Sequence, residues 1–272
     1  MYIICGRQLN REMKAILGLT VLLIVTGLLL LYYFSSRRKR TARLVRDIPA
    51  YSRLKRAVGL AVESGSRLHI SFGRGSLIGE QSAPALVGLS MLERITRAAS
   101  VSDKPPLATA GDGALAILAQ DTLRSAYRLV GVESQYDPNS GRFVGPATLP
   151  YAAGTMPVID EEQVSANVLI GHFGSEVALI NEAAERKGCL TVAGTDDIAG
   201  QSVLYATVEE SLIGEEVFAG GAYLGAGPMH DASLRTQDIL RLLVVIVVVI
   251  GAILKLFGLD TFIIQLIPGG LR

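Results

Sequence analysis

The chain has 272 residues, half of them apolar, and its 26 basic side chains offset 25 acidic ones to a formal charge of +1. That balance leaves no electrostatic footprint for nucleic acid, and no nucleic-acid partner is expected. Two cysteines and three histidines, far apart and without ligand spacing, exclude a disulfide framework and a cysteine-based metal site. No metal and no cofactor is expected.

After a short N-terminal segment, residues 1–14, the chain runs from Ala15 to Phe34 without a charge. Twenty helical residues at ~1.5 Å each cover the ~30 Å hydrocarbon core of a bilayer, so 15–34 is predicted to be a transmembrane helix. Tyr32, Tyr33 and Phe34 close the span, where aromatic rings sit among head groups. Arg37, Arg38, Lys39, Arg40 and Arg43 follow as a membrane-interface cluster, against Arg7, Arg11, Glu12 and Lys14 on the other flank. The positive-inside rule then places the segment after the span in the cytoplasm and the first residues outside. A cleavable signal peptide is the rival reading, but the apolar core is too long for one and no small-x-small cleavage pattern follows. Residues 35–62 form a basic juxtamembrane collar leading into a helix across Asp47 to Val62.

Residues 63–227 read as one soluble domain in which short apolar strands, glycine turns and helices alternate. Arg67 to Phe72 alternates as a strand, Gly73-Arg-Gly75 ends it, and a helix opens at Ser82-Ala-Pro84, capped by the serine or a neighbour. Three further units share that grammar. Pro106 to Ala110 leads through Gly111-Asp-Gly113 into a helix to Val130. A polar excursion from Glu133 to Pro157 is expected as a hairpin or extended loop. Ala166 to Ile170 leads through Gly171-His-Phe-Gly174 into a helix ending at Gly188. Cys189 to Ala193 leads through Gly194-Thr-Asp-Asp197 into a long helix to Gly214. Such alternation implies an α/β fold, Rossmann-like, with a mostly parallel sheet between flanking helices.

In that fold ligands settle at the carboxyl ends of the strands, near helix N-termini, so Gly111, Asp112, Gly113, Gly171, His172, Gly194 and Asp196 are candidate ligand-binding residues. Neither G-x-G-x-x-G nor G-x-x-x-x-G-K-[ST] is present, and three aspartates would repel phosphate. The bland alternative is tight strand-to-helix turns with aspartates as caps. No catalytic residue is assigned. No nucleophile elbow occurs, and Asp112, His172 and Asp196 supply an acid and a base only if the turns converge.

The stretch Glu215 to Pro228 is dense in small residues among Val217, Phe218 and Leu224. Gly220, Gly221, Tyr223 and Gly225 are expected to pack subunit against subunit, with a flexible linker as the alternative. A connector over 228–238 leads into a second span, 239–259, whose core from Leu242 to Leu254 is uninterrupted, with Arg241 and Lys255 able to snorkel. The tail, 260–272, is expected to lie along the outer interface.

With the segments Ser64 to Gly75, Leu107 to Asp112 and Gly188 to Gly194, the chain resembles a bacterial family of unknown function whose members are membrane-tethered proteins built around one α/β domain. The resemblance covers roughly residues 45–225 and implies no activity and no site residues. The expected function is that of a non-enzymatic assembly or scaffold protein of the cytoplasmic (inner) membrane. Its partners are the lipid bilayer, further copies of itself in a cyclic homo-oligomer, and another membrane complex. A sensor binding a nucleotide or other anion at the glycine turns is the alternative, and a membrane-anchored hydrolase or transferase the third reading.

Overall fold

The computed structural model describes residues 2–38, 47–79 and 81–256. It falls into two compact units, one built from the two terminal segments and one from Arg46–Gly227.

The terminal unit holds two helices long and apolar enough to cross a membrane, α1 (Tyr2–Arg38) and α9 (Pro228–Leu256). They pack against each other. Among the residues of α1 whose burial is described, Val25, Leu28, Leu29, Tyr32, Tyr33 and Ser35 are half-buried, and Val25, Leu28, Leu29 and Tyr32 recur at helical spacings of three and four, while Ile16, Leu19, Leu22, Leu23, Leu30 and Leu31 are exposed. The hydroxyl of Thr20 donates to the carbonyl of Ile16 at 2.8 Å, so a polar group within the span is satisfied by its own helix. Both helices outrun their expected spans: α1 begins at Tyr2, and the expected connector 228–238 is already helical. Of the basic cluster, Arg37 and Arg38 end α1. Lys39, Arg40 and Arg43, like the tail 260–272, lie outside the described residues.

The other unit is a six-stranded, all-parallel sheet with helices on both faces. Its elements are α2 (Pro49–Ser64), β1 (Arg67–Gly73), α3 (Ser82–Ala99), β2 (Leu107–Ala110) and α4 (Gly113–Val130), then β3 (Gly141–Phe143), α5 (Thr148–Glu161) and β4 (Val164–His172). They continue with α6 (Val177–Arg186), β5 (Leu190–Thr195), α7 (Ile198–Thr207), β6 (Glu210–Leu212) and the short α8 (Gly220–Tyr223). The strand order is β3-β2-β1-β4-β5-β6, and every neighbouring pair is parallel. The Rossmann-like expectation holds, with the chain's direction of travel reversing between β1 and β4.

Local chemistry explains the element ends. Pro49 starts α2 at a position where its missing N–H is no loss, and Gly65 ends it in the left-handed conformation with φ 63°, its N–H turned back to the carbonyls of Ala61 and Val62. Ser82 does not cap α3; its hydroxyl donates instead to the carbonyl of Gly79 at 2.8 Å. The two faces of β1 differ in kind. Leu68, Ile70 and Phe72 are buried toward α3, where Gly88 is so close to the sheet that a Cβ there would lie 2.7 Å from the Phe72 ring. His69 and Ser71 are equally buried on the other face, in a polar network beneath α5. The alternation in the sequence is therefore apolar core against buried polar network, not core against water.

Three expectations are corrected. The excursion from Glu133 to Pro157 is neither hairpin nor open loop: it holds two 3₁₀ turns, edge strand β3 and most of α5. Gly171 and His172 continue β4, and Gly194 continues β5, so those glycines sit inside strands rather than in turns. The long helix to Gly214 stops at Thr207, because Val208 is extended and β6 follows. Glu210 concealed that strand: it is buried in an ion pair with Arg53, so a charged residue occupies a core position.

Candidate functional site

The carboxyl edge of the sheet, at the reversal between β1 and β4, is where the fold puts a ligand crevice if it has one. Two loops meet there. The Arg74 N–H donates to the His172 carbonyl at 2.9 Å, and the Gly111 N–H donates to the Gly73 carbonyl at 2.8 Å, stitching the ends of β1, β2 and β4 together. Arg74 Nε donates to Glu176 Oε1 at 3.1 Å, and the Gly174 N–H donates to the same oxygen at 3.0 Å. The Glu176 side chain is fully buried, and its Oε2 has no hydrogen-bond partner. A buried carboxylate is tolerable only because it is paired, so this ion pair fixes the loop after β4 against the loop after β1.

Beside it, His172 and Asp196 come together across β4 and β5, Nδ1 to Oδ1 at 2.8 Å, with both side chains partly open to solvent. This is an imidazole oriented by a carboxylate, a pairing that serves proton transfer where a substrate reaches the other ring nitrogen. Asp112 does not join it. Its Oδ1 accepts from the Leu115 N–H at 2.9 Å, and it caps α4. Asp197 caps α7 in the same way, accepting from the Gly200 N–H at 2.8 Å.

Internal packing explains most of the candidate glycines. A Cβ on Gly171 would lie 1.9 Å from the Phe72 carbonyl oxygen, and one on Gly111 would lie 2.9 Å from the Gly73 oxygen. On Gly194 it would meet Val217 at 2.7 Å and Leu212 at 2.9 Å. Only Gly113, of the four, faces open space. Gly220, Gly221 and Tyr223 are buried within the domain itself, where a Cβ on Gly220 would lie 2.4 Å from Met91 Sδ. The small size of Gly220 and the ring of Tyr223 thus both serve the protomer's own core. Gly225 is exposed, and its carbonyl accepts from Arg94.

Sequence reasoning missed Arg74, Glu176 and the buried network. In that network His69 Nδ1 pairs with Asn167 Oδ1 at 2.7 Å and His69 Nε2 with Thr109 Oγ1 at 2.9 Å. The Tyr151 phenol reaches Ser71 Oγ at 2.6 Å and accepts from the Gly73 N–H at 3.1 Å. Burial, outweighing the Asn167 hydrogen bond, pushes His69 down to about 4 and the Tyr151 phenol up. The polar alternation of β1 was the available signal. Sealed from solvent, the network organises the sheet and offers no substrate a route.

The cavities open elsewhere. One of about 380 Å³ lies at the amino end of β5, lined by Asn181, Cys189, Leu190, Thr207 and Glu209. The Cys189 thiol donates to the Val164 carbonyl at 2.9 Å, and burial pushes its pKa up, so it is a poor nucleophile. Another, of about 470 Å³, lies between β3 and α5. Among the described residues no group of three or more His, Cys, Asp or Glu side chains is placed to hold a metal ion.

A family model described as a domain of unknown function, DUF6754, matches residues 7–266. The chain belongs to that family. The DUF6754 match runs through both long helices as well as the α/β domain, well beyond residues 45–225 where the resemblance was read. The two long apolar helices and the α/β domain therefore fall within one family match. No curated protein and no solved structure matches the chain.

Proposed function

We propose that this DUF6754 protein is a non-enzymatic assembly protein of the inner membrane, with two spans and a cytoplasmic α/β domain through which copies associate. The observation that carries the reading is the set of large apolar side chains the domain leaves uncovered. Ile78 is 87% exposed, Ile198 82% and Tyr205 77%, and Leu149 is also open to solvent. Ile198 and Tyr205, seven residues apart on α7, share one helix face, and apolar exposure grouped in that way supports contact with another macromolecule. The candidate glycines support a role without a small-molecule ligand, since backbone and core atoms of the chain itself fill the space at Gly111, Gly171 and Gly194. The basic cluster after the first span supports the cytoplasmic orientation.

The test is the native mass of the full chain extracted in mild detergent, with any co-purifying small molecule identified. Many identical copies without ligand are expected. A monomer overturns the reading.

A second reading, a membrane-anchored sensor, is favoured by the strand order. The reversal between β1 and β4 is where dinucleotide-binding folds hold their ligand, and Arg74, His172 and Asp196 stand at that edge. A monomer or dimer carrying a stoichiometric nucleotide replaces the first reading with this one.

A further inference from the structure

We propose that the cavity at the amino end of β5 is a binding site for a small aliphatic diamine. The site stands apart from the assembly reading, since every residue of it belongs to one chain. Its electrostatics follow from the fold. In a parallel sheet with crossover helices, helix N-termini gather at the carboxyl edge of the strands and helix C-termini at the amino edge. The amino edge therefore favours positive charge. The cavity, about 380 Å³, is lined by the C-terminal ends of both α6 and α7. Glu185, in the last turn of α6, and Glu209, after α7, are two of its lining residues. Both are exposed, and neither has an ion-pair partner among the described residues. The basic residues that follow Glu185 are engaged elsewhere: Arg186 pairs with Glu182 at 3.4 Å, and Lys187 with Asp160 at 3.9 Å. No described lysine or arginine lines the cavity.

Carboxylates at helix ends are common, and what sets this cavity apart is its buried wall. Thr191 is 8% exposed, and its Oγ1 has no hydrogen-bond partner among the described residues. The neighbour placed to satisfy it does not: Asn167, its register partner on β4, leaves its own Nδ2 unpartnered. A buried hydroxyl without a bond is costly, and a ligand that reaches it recovers that cost. Asn181, also buried, spends its Nδ2 on the Thr207 carbonyl at 2.7 Å, so its Oδ1 is the end left to accept. The wall thus offers hydrogen-bond acceptors and two carboxylates, and an ammonium group, with three donors and no acceptor, complements it. Leu190 and Val208 add an apolar surface suited to methylenes. The volume is that of a small-molecule site, too large for a bare ion. A diamine meets all three demands, with one ammonium at Thr191 and Asn181, its methylenes along Leu190 and Val208, and the other ammonium at the carboxylates.

The test is thermal unfolding of the full chain in detergent with 1,4-diaminobutane, against potassium chloride and magnesium chloride at equal ionic strength. The diamine is expected to raise the midpoint saturably, and the two salts are not. Thr191→Val removes a hydroxyl that bonds nothing in the chain, so the midpoint without diamine is expected to hold. The apparent Kd of the diamine is expected to rise about 10-fold in that variant, the worth of one hydrogen bond to a charged group. Glu209→Gln, at an exposed position, is expected to raise it about threefold, the worth of an exposed ion pair. In a Cys5→Ser background the diamine is also expected to slow alkylation of Cys189, which lines the same cavity. Four results each overturn the site: a midpoint that follows ionic strength alone, magnesium matching the diamine, full affinity in both variants, or an unchanged rate of Cys189 alkylation in the saturated protein.

Discussion

Tyr51 and Tyr223 stack with ring centroids 4.9 Å apart and planes 16° from parallel, one near the entry of the chain into the α/β domain and the other near its exit. The Tyr51 phenol also donates to the Glu216 carbonyl at 2.6 Å, and burial pushes its pKa up. The two ends of the domain are thus fastened to each other by a buried aromatic pair and a hydrogen bond. Tyr223→Ala is expected to destabilise the domain by about 3 kcal/mol, the usual cost of removing a buried ring, and Tyr51→Phe by about 1 kcal/mol, the cost of one hydrogen bond. Denaturant unfolding gives both values, and limited proteolysis between Gly214 and Gly227 should accelerate in Tyr223→Ala. Unchanged unfolding in Tyr223→Ala would show that the clasp holds nothing.

His69 makes the domain sensitive to mild acid. In the folded protein it is held at about 4, against 6.5 ordinarily, mainly by burial. Between those values the unfolded chain binds a proton that the folded domain refuses, so stability is complete above about pH 6.5 and declines as pH falls toward 4. The loss reaches at most roughly 3 kcal/mol at the lower limit. His69→Gln, which cannot titrate, is expected to lower stability at pH 7.5 yet flatten its dependence on pH in that window. Denaturant midpoints at pH 7.5 and 5.0 for the two proteins decide it: parallel declines would assign the acid sensitivity to other groups.

The strand order makes glycine substitutions informative about role. A Cβ on Gly171 would collide with the Phe72 carbonyl oxygen at 1.9 Å, a main-chain atom held in the β1–β4 pairing. Gly171→Ala is therefore expected to cost about 3 kcal/mol or more, as overpacking against an immovable neighbour does. Gly113 opens α4 with nothing near its Cβ position, so Gly113→Ala is expected to stabilise by about 0.5 kcal/mol through the unfolded chain. Thermal unfolding of the two variants should move in opposite directions. A destabilised Gly113→Ala would mean that the fold itself needs glycine at this turn.

Much of this architecture is legible in the sequence because its signals are local. The charge-free run to Phe34 and the repeated strand–glycine–helix units depend on residue type and period alone. What escaped depends on partners distant in the chain. Glu210 reads as solvated until Arg53 is placed beside it, and β6 disappears with it. Arg142 and a run of prolines and glycines around it read as loop, yet β3 needs only three residues because it is an edge strand pairing on one side. At the candidate site, the approach of His172 and Asp196 follows from adjacent parallel strands and could be anticipated. The diversion of Asp112 into a helix cap could not be told from a ligand role by spacing, since both demand a carboxylate at a helix N-terminus.

That ambiguity is resolved by measuring what the aspartates do for their helices. Asp112 and Asp197 each accept one backbone N–H in the first turn of a separate helix, α4 and α7. Each replacement by alanine is expected to cost about 1 kcal/mol, the usual worth of an N-cap, and the double variant about 2 kcal/mol, because the helices are not neighbours and their effects add. The same variants should keep the native mass of the parent in detergent, since a cap acts within the protomer. Asp112→Ala that unfolds normally but no longer assembles would move this residue from the fold into the contact between copies. Equal losses of stability and intact assembly leave the aspartates as caps that take no part in the contact between copies.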